Sequence, residues 1–150
     1  MCRFTYEIAS AVDDHTRETV YQELRAFNQG ANPEWWAARD EPANAPAPLI
    51  VACYDASGDV AGGLFAETQF AWLKLSIMAV RADLRGQGMG AELVRRAEAE
   101  AVRRSCKYAF VDTMSYQAPG FYQRLGYQVA GRIEDWDSHG HAKLYLTKRL

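Results

Sequence analysis

Three glycines at alternate positions mark the part of the chain best suited to binding an anion. Gly86, Gly88 and Gly90 lie between a long apolar run and an amphipathic helical pattern. Glycine lets a ligand approach the backbone closely, and the first N–H groups of a helix have no partner within the helix. Those N–H groups and the helix dipole together favour a pyrophosphate, although the same glycines could also serve only to turn the chain.

A dinucleotide-binding fold offers a rival interpretation of these glycines. Gly86-x-Gly88-x-x-Ala91 fits its fingerprint, and Asp112 ends a later strand where a ribose-binding acid would lie. In that fold, however, the glycines follow their strand immediately, whereas residues 81–85 intervene here. The segment after Asp112 is also too short for the second half of such a domain, so the pattern favours another fold.

Apolar periodicity predicts strands and helices that alternate around the glycine turn. Residues 70–80 indicate a central strand, and the helix after the glycines has one apolar stripe, formed by Leu93, Val94, Ala97, Ala101 and Val102. Pro119 starts a short helix that ends at Gly126. Further strands are predicted at 3–9, 49–54, 60–67, 107–112, 127–134 and 142–148, with a turn at 55–59. A helix is predicted from Asp13 to Gly30. Residues 32–48 are predicted to form a loop, in which Trp35 and Trp36 could begin a short helix. Because no linker divides them, residues 1–150 are predicted to form a single α/β domain.

Composition and charge narrow the class of protein. A formal net charge of −2, with basic and acidic residues interleaved, gives no basis for a nucleic-acid partner. No apolar window is long enough for a membrane span or a signal peptide, and the scattered Cys2, Cys53 and Cys106 are typical of reduced thiols, so we expect a soluble, cytoplasmic protein. His139 and His141 lie at a spacing that metal ligands use, but no third ligand is placed, and no metal is expected.

Two motifs resemble the signatures of the GNAT N-acetyltransferase superfamily. Arg85-x-x-Gly88-x-Gly90 is similar to its Arg/Gln-x-x-Gly-x-Gly/Ala acetyl-CoA motif, and residues 118–127, APGFYQRLGY, are similar to its Ala-x-x-x-Tyr-x-x-x-Gly-Phe helix and turn. The predicted order β-α-α-β-β-β-α-β-α-β-β also matches over nearly the whole chain. The resemblance implies a GNAT fold, a central mixed and splayed β-sheet flanked by about four helices. It places acetyl-CoA (coenzyme A) between strands 70–80 and 107–112.

The resemblance also implies which residues contact the cofactor. The backbone of residues 78–80 would pair with the pantetheine arm much as an added strand does. The amides of residues 85–90 would hold the pyrophosphate, with the Arg85 side chain nearby. Many members carry an Asn where this chain has Ser115, so Ser115 or Gln117 is expected to supply that hydrogen bond. The cofactor-binding set is Met78, Ala79, Val80, Arg85, Gly86, Gln87, Gly88, Met89, Gly90, Ser115, Gln117 and Tyr122.

Tyr122 matches the tyrosine with which many members protonate the departing thiolate. A hydroxyl with a pKa of about 10 is a suitable acid for a thiolate whose thiol has a pKa of about 8.5, although Tyr122 could instead only pack within its helix. Some members carry a general-base Glu on the strand before the glycines, but residues 70–80 contain no carboxylate. Glu67 acting through a water is the expected base, with Asp112 and Glu134 as alternatives, and each could be an ordinary strand-end charge.

The segments that form acceptor sites in this family are rich in aromatic residues here. Such rings with a few acids would suit a cationic amine through cation–π attraction, although any one ring could belong to the core or to a dimer interface. The expected substrate-binding residues are Trp35, Trp36, Phe65, Trp72, Asp112 and Tyr116, with Trp136 in the same group of rings.

The expected reaction is acetyl transfer by direct attack in a ternary complex. A free amine would attack the thioester carbonyl, a backbone N–H near Ala79 or Val80 would polarise that carbonyl, and Tyr122 would protonate coenzyme A. The acceptor is expected to be a small-molecule or peptide amine, and a homodimer is left open. The alternative is a non-catalytic acyl-CoA-binding or regulatory module on the same fold, which the lack of a carboxylate in residues 70–80 would suit.

Overall fold

The first part of the structure consists of helices α1 (Asp14–Ala31) and α2 (Pro33–Arg39) and a 3₁₀ turn at Pro42–Asn44. Two side chains determine where the helices begin. Asp13 caps α1 by accepting a hydrogen bond from the N–H of Thr16 at 2.9 Å. Asn32 caps α2 by accepting one from the N–H of Trp35 at 3.1 Å. The short helix that the sequence allowed at Trp35 is therefore present.

The computed structural model describes residues 4–150 and groups them into two units, one ending at Asn44 and the other spanning Ala45–Leu150. Residues 4–9 are not in a strand, so the expected first strand at 3–9 is wrong for the part that is described. Its alternating pattern was short, and no neighbouring strand supplies the backbone hydrogen bonds that a strand needs. Residue 3 and Cys2 lie outside the described residues. Within residues 4–150, no helix is both long and apolar enough to cross a bilayer.

Within the described residues, the second unit holds six strands, two further α-helices and a 3₁₀ turn at Ala82–Leu84: β1 (Ala47–Tyr54), β2 (Val60–Gln69), β3 (Trp72–Val80), α3 (Met89–Arg103), β4 (Tyr108–Met114), α4 (Pro119–Arg124), β5 (Gln128–Ile133) and β6 (Lys143–Arg149). The strands form one sheet in the order β1-β2-β3-β4-β6-β5. β3 and β4 are parallel, and the other neighbours are antiparallel. The predicted mixed α/β sheet is confirmed. β3 begins after residue 70 because Phe70, at φ 51°, lies in the turn that follows β2.

The predicted turn between β1 and β2 is present and is tied to the end of β3. The Asp55 carboxylate accepts hydrogen bonds from the N–H groups of Ser57 and Asp59, at 3.0 and 3.1 Å. Arg81 Nη1 donates to Asp55 Oδ2 at 2.8 Å. The Arg81 guanidinium, followed by the donors of the turn, lowers the pKa of Asp55 to about 2. Because Arg81 directly follows β3, this contact fixes the start of the segment that leads to the glycines.

The core of the second unit lies between the sheet and α3. Strand residues Leu64, Leu73 and Leu75 are almost fully buried, and they pack with the α3 stripe, which consists of Leu93, Val94, Ala97 and Ala101. Val102, which the sequence placed in that stripe, is 53% exposed. It follows Ala101 by one residue and so lies about 100° away around the helix.

β3 and β4 separate after a short paired stretch. They pair from Trp72 with Tyr108 to Leu75 with Val111 and no further. On its other side β3 has a bulge at Ser76, because the β2 ladder passes from Leu75 directly to Ile77. A bulge bends its strand, so the end of β3 diverges from β4 and leaves a cleft between the two strands. The predicted splayed parallel pair is therefore confirmed.

Candidate active site

Two adjoining cavities lie where β3 and β4 part. The first, of about 660 Å³, lies between the strands and reaches α4; we call it the reaction cleft. The second, of about 470 Å³, lies at the glycines before α3; we call it the glycine-turn cavity. The same five residues line both: Met78, Ala79, Val80, Arg85 and Ala118. Because the cavities share this wall, one extended ligand could occupy both.

Two of the three glycines, Gly86 and Gly88, have a backbone conformation that favours glycine. Gly86 and Gly88 have φ values of 77° and 84°, which side chains adopt only with strain, although a Cβ there would meet no atom within 4 Å. Gly88 is the N-cap of α3 and has no side chain with which to cap it. The first N–H groups of α3 therefore lie beside the cavity, where an anion could accept their hydrogen bonds. Gly86, Gly88, Met89 and Gly90 line this cavity, whereas Gln87 lines a neighbouring cavity toward β1.

The end of β3 offers backbone groups to a ligand. Its pairing with β4 stops at Leu75, so the edge of residues 76–80 that faces the cleft is open. An extended arm could pair with that edge, as the sequence analysis expects for residues 78–80. The carbonyl of Val80 already accepts a hydrogen bond from Arg85 Nε at 3.1 Å. This contact holds the Arg85 guanidinium beside the glycine-turn cavity.

Helix α4 closes the glycine-turn cavity with residues spaced three apart. Ala118, Phe121 and Arg124 line its wall opposite α3. A Cβ at Gly90 would lie 3.5 Å from the Phe121 ring, so the two helices approach closely at this glycine. Arg124, like Arg85, lines this cavity and so adds a second guanidinium to it. Phe121 and Arg124 were not among the predicted site residues, although their spacing from Ala118 indicates a shared helix face.

Tyr122 lies between the core and the reaction cleft. It is 8% exposed, lines the cleft, and packs edge-on against the rings of Phe121 and Tyr127 at centroid distances of 5.0 and 5.7 Å. Burial, and secondarily the charge of Asp112, raise the pKa of the Tyr122 phenol. The hydroxyl is therefore protonated at neutral pH and can donate a proton into the cleft.

Of the three acids considered as the base, Asp112 lines the reaction cleft and the other two do not. Lys143 Nζ lies 2.7 Å from Asp112 Oδ2. Glu67 lies outside the cleft lining, 3.4 Å from Lys74 Nζ, and Glu134 is paired with Arg132 at 2.5 Å. Glu67 was expected near the acceptor, but its position in the sheet differs from that expectation. It lies opposite Lys74, which is in the part of β3 that still pairs with β4, before the bulge and the cleft.

Ser115 and Gln117, the expected substitutes for the family's Asn, have partners within the protein. Ser115 Oγ accepts a hydrogen bond from the N–H of Ala142 at 3.1 Å, and Ser115 lines neither cavity. Gln117 lines the reaction cleft, but its Oε1 accepts from the N–H of Met114 at 2.9 Å and from Thr113 Oγ1 at 3.1 Å. Gln117 therefore braces the end of β4, and contact with a cofactor stays a prediction for both residues.

The predicted acceptor residues are dispersed over the second unit. Phe65 is 51% exposed and lies opposite Ile77, a cleft residue, in the β2–β3 ladder. Trp72 stacks on Tyr108 at 5.0 Å, at the end of β3 away from the cleft, and lines a separate cavity of about 520 Å³. Tyr116 lines neither site cavity and lies edge-on to His141 at 4.9 Å. Among these second-unit candidates, Asp112 is the one in the cleft lining.

Trp35 and Trp36 lie on α2 in the first unit. Their rings are perpendicular, with centroids 5.4 Å apart, and the Arg39 guanidinium lies 4.2 Å from the Trp36 centroid. Their contact with an acceptor stays a prediction.

Sequence reasoning also missed Lys143, the ion-pair partner of Asp112. The two side chains meet because β4 and β6 are antiparallel neighbours whose register pairs Asp112 with Tyr145 and Met114 with Lys143. That register depends on the packing of the whole sheet, so no local motif predicts it.

His139 and His141 belong to the loop before β6, where His141 Nδ1 lies 2.6 Å from Asp137 Oδ2. No cluster of three or more metal-ligating side chains occurs among residues 4–150.

Comparisons with known proteins agree on one family. The sequence pattern described as an acetyltransferase (GNAT) domain matches residues 45–129. The chain is 40% identical over 132 residues to a protein named blasticidin-S acetyltransferase from Streptomyces morookaense, a match that covers 85% of this chain and 96% of the relative. A crystal structure of an acetyltransferase from Bacillus cereus superposes with a TM-score of 0.75 at 24% identity, over 96% of this chain and 98% of that one. A GNAT family acetyltransferase from Elizabethkingia anophelis with acetyl-CoA bound superposes at 0.60 and 15% identity, over 69% and 77%.

Proposed function

The chain belongs to the GNAT acetyltransferase family, and from that premise we propose that it transfers the acetyl group of acetyl-CoA directly to an amine of a small molecule. Acetyl-CoA is the acetyl donor of this enzyme. The observation that supports the finer proposal is the reaction cleft, which the Tyr122 phenol and the Asp112 carboxylate both line. The expectations of a single domain, a cytoplasmic location and a homodimer stay proposals.

The residues at the glycine turn fit the donor's diphosphate and arm. Strained glycines, uncapped helix N–H groups, and the guanidinium groups of Arg85 and Arg124 surround one cavity, an arrangement suited to phosphate oxygens. The open edge of residues 76–80 suits the amide groups of an extended arm. An arm bound along that edge would run from the glycine-turn cavity into the reaction cleft.

The chemistry can be divided among the residues of the cleft. Acetyl-CoA supplies a thioester whose carbonyl carbon the amine attacks. A backbone N–H near Ala79 or Val80 polarises the carbonyl oxygen from the open edge of β3. Tyr122 donates its hydroxyl proton to the departing sulfur, because its raised pKa keeps that proton available at neutral pH.

Asp112 is the acid best placed to serve the acceptor. An aliphatic amine with a pKa near 10 is mostly protonated at neutral pH and must lose a proton before it attacks. Asp112 attracts the ammonium form and accepts that proton, directly or through a water. One of its oxygens, Oδ2, contacts Lys143, which leaves Oδ1 for the reacting amine. We therefore assign Asp112 the part that the sequence analysis gave first to Glu67.

The acceptor proposal rests on the relative from Streptomyces morookaense. That protein is named for acetylation of blasticidin-S, and the match spans nearly all of it. We therefore propose that this chain also acetylates a small-molecule amine rather than a peptide. Direct attack needs no covalent acetyl-enzyme, and the free thiol of Cys53 lines a cavity other than the reaction cleft.

An amine panel tests the proposal. The enzyme is mixed with acetyl-CoA and, separately, with blasticidin-S, aliphatic diamines, amino acids and peptides with free N-termini, and thiol release is followed with a chromogenic disulfide. We expect thiol release with at least one small-molecule amine, matched by an equal amount of N-acetyl product. Binding of acetyl-CoA without thiol release for any amine would support the non-catalytic alternative, and release with peptides alone would contradict the small-molecule acceptor.

A further inference from the structure

Lys143 holds its ammonium within a group of one carboxylate and two aromatic rings. Its Nζ lies 2.7 Å from Asp112 Oδ2, 4.7 Å from the centroid of the Trp136 ring and 5.7 Å from that of Tyr145. A cation within about 6 Å of a ring centroid is attracted by the ring face. We call Asp112, Trp136 and Tyr145 the cation cage.

The cage is assembled by backbone contacts rather than by Lys143. Tyr145 lies opposite Asp112 in the β4–β6 ladder. Trp136 lies in the loop before β6, and its N–H donates to the carbonyl of His141 at 2.8 Å. Asp137 closes the same loop, because its Oδ1 accepts from the N–H groups of His139 and His141 at 3.0 and 3.2 Å. The strands and the loop therefore fix the backbone positions of Asp112, Tyr145 and Trp136 without any contribution from the Lys143 side chain.

The cage borders the place where the reaction occurs. Asp112 lines the reaction cleft together with Tyr122, and its charge contributes to the raised pKa of Tyr122. Because Oδ1 of Asp112 is assigned to the reacting amine, a second positive group of the same molecule would reach Oδ2, the oxygen that Lys143 contacts. Lys143 is already in that position, with 22% of its side chain exposed.

We propose that the cation cage binds a second cationic group of the acceptor, and that Lys143 is a placeholder which this group displaces. The inference rests on the proposed function and adds a substrate class, small molecules with at least two cationic groups. An ammonium or guanidinium of the acceptor offers the cage the same charge and the same cation–π contacts as Lys143. The flexible lysine stem lets Nζ leave the cage while the strand remains in register.

A matched pair of acceptors tests this assignment by kinetics. The probes are 1,5-diaminopentane and 5-amino-1-pentanol, which share a reacting amine and differ in whether the far end is charged. The preference is the ratio of their kcat/KM values. Lys143→Met empties the cage and should raise the preference for the diamine about tenfold, equivalent to about 1.4 kcal/mol. Lys143→Arg keeps a cation there and should leave the preference near that of the wild type, and Trp136→Leu should lower it.

A binding measurement separates this inference from the proposed function. The indole N–H signal of Trp136, assigned with Trp136→Phe, is followed by NMR as each probe is added in the absence of turnover. We expect the diamine to shift this signal at lower concentration than the amino alcohol, and at about tenfold lower concentration still in Lys143→Met. A signal that responds equally to both probes, or a Lys143→Met variant that binds the diamine more weakly, overturns the cage assignment even if acetyl transfer occurs. If the cage binds the diamine and no amine is ever acetylated, the proposed function fails instead.

Discussion

At the scale of single residues, the proposed chemistry depends on two groups that face one cleft, Tyr122 and Asp112. Tyr122 is buried on one side and open to the cleft on the other, and Asp112 adds a negative charge nearby. Both effects raise the pKa of Tyr122 and so preserve it as a proton donor. The same carboxylate can attract and deprotonate an incoming amine. The proposed acid and the proposed base therefore line one cleft.

Tyr122→Phe removes the proposed acid while keeping the ring. We expect kcat to fall by about 10², the usual range for a lost general acid, with little change in acetyl-CoA affinity. Because the pKa of Tyr122 is raised, the wild-type kcat should decline only above the ordinary tyrosine pKa of about 10. Tyr116→Phe, which changes an exposed ring outside the cleft, is the matched control. An unchanged kcat in Tyr122→Phe would leave this residue with a packing role.

Asp112→Asn and Glu67→Gln discriminate between the two candidate bases. Without the Asp112 carboxylate, only the solvent removes the amine's proton, so the acidic limb of the kcat/KM profile should move to higher pH. KM for a cationic amine should rise about tenfold as well, because the attracting charge is lost. Glu67→Gln should leave the profile in place, since Glu67 is paired with Lys74 outside the cleft. A shifted limb in Glu67→Gln alone would restore the expectation drawn from the sequence.

At the scale of secondary structure, the proposed cofactor site depends on helix α3, whose N-cap is Gly88. Gly88→Val should abolish acetyl-CoA binding measured by calorimetry. A valine at this position would be strained at the φ of 84° that Gly88 has, and its side chain would lie beside the first N–H groups of α3. Gly58→Val carries a similar strain, at φ 88°, in the turn between β1 and β2. That variant is expected to lose stability by about as much and still bind. Equal loss of binding in both variants would mean that strain, not the position at the helix start, is responsible.

Helix α3, which follows the glycine turn, is attached to β6 by a partly buried ion pair. Lys148 Nζ lies 2.9 and 2.7 Å from the two carboxylate oxygens of Glu98, and their side chains are only 23% and 12% exposed. Glu98→Gln leaves the ammonium with little solvent and no counter-charge, so the free energy of unfolding in urea should fall by about 2 kcal/mol. Glu92→Gln breaks an exposed pair with Arg96 and should cost less than about 0.5 kcal/mol. Equal effects of the two changes would show that the buried pair contributes no more than a surface pair.

Local patterns in the sequence were enough to predict the glycine turn, most of the α3 stripe and the short helix that carries Tyr122, because each depends on spacing within one or two elements. The bulge at Ser76, the distance of Glu67 from the cleft and the contact between Asp112 and Lys143 were not predictable in this way. Each follows from how neighbouring strands are aligned, and alignment depends on the packing of the complete sheet. The predicted strand at 3–9 is wrong over the described residues 4–9, because alternation alone does not supply a strand to pair with.

At the scale of the second unit, two cavities with one shared wall allow two substrates to be bound together. The glycine-turn cavity suits the phosphate end of the donor, and the reaction cleft is lined by Tyr122 and by Asp112, the one member of the cation cage in its lining. Direct transfer requires both substrates to be present at once. A covalent alternative would need a nucleophile in the cleft, and the described free cysteines, Cys53 and Cys106, do not line it.

Initial-rate kinetics with both substrates varied tests direct transfer most simply. Rates are measured over a range of acetyl-CoA concentrations at several fixed concentrations of the best amine from the panel. We predict double-reciprocal plots that intersect, because the acetyl group passes to the amine only when both substrates occupy the cleft. Parallel lines, together with an acetylated protein detected by mass spectrometry when acetyl-CoA is supplied alone, would show a covalent acetyl-enzyme and contradict the account.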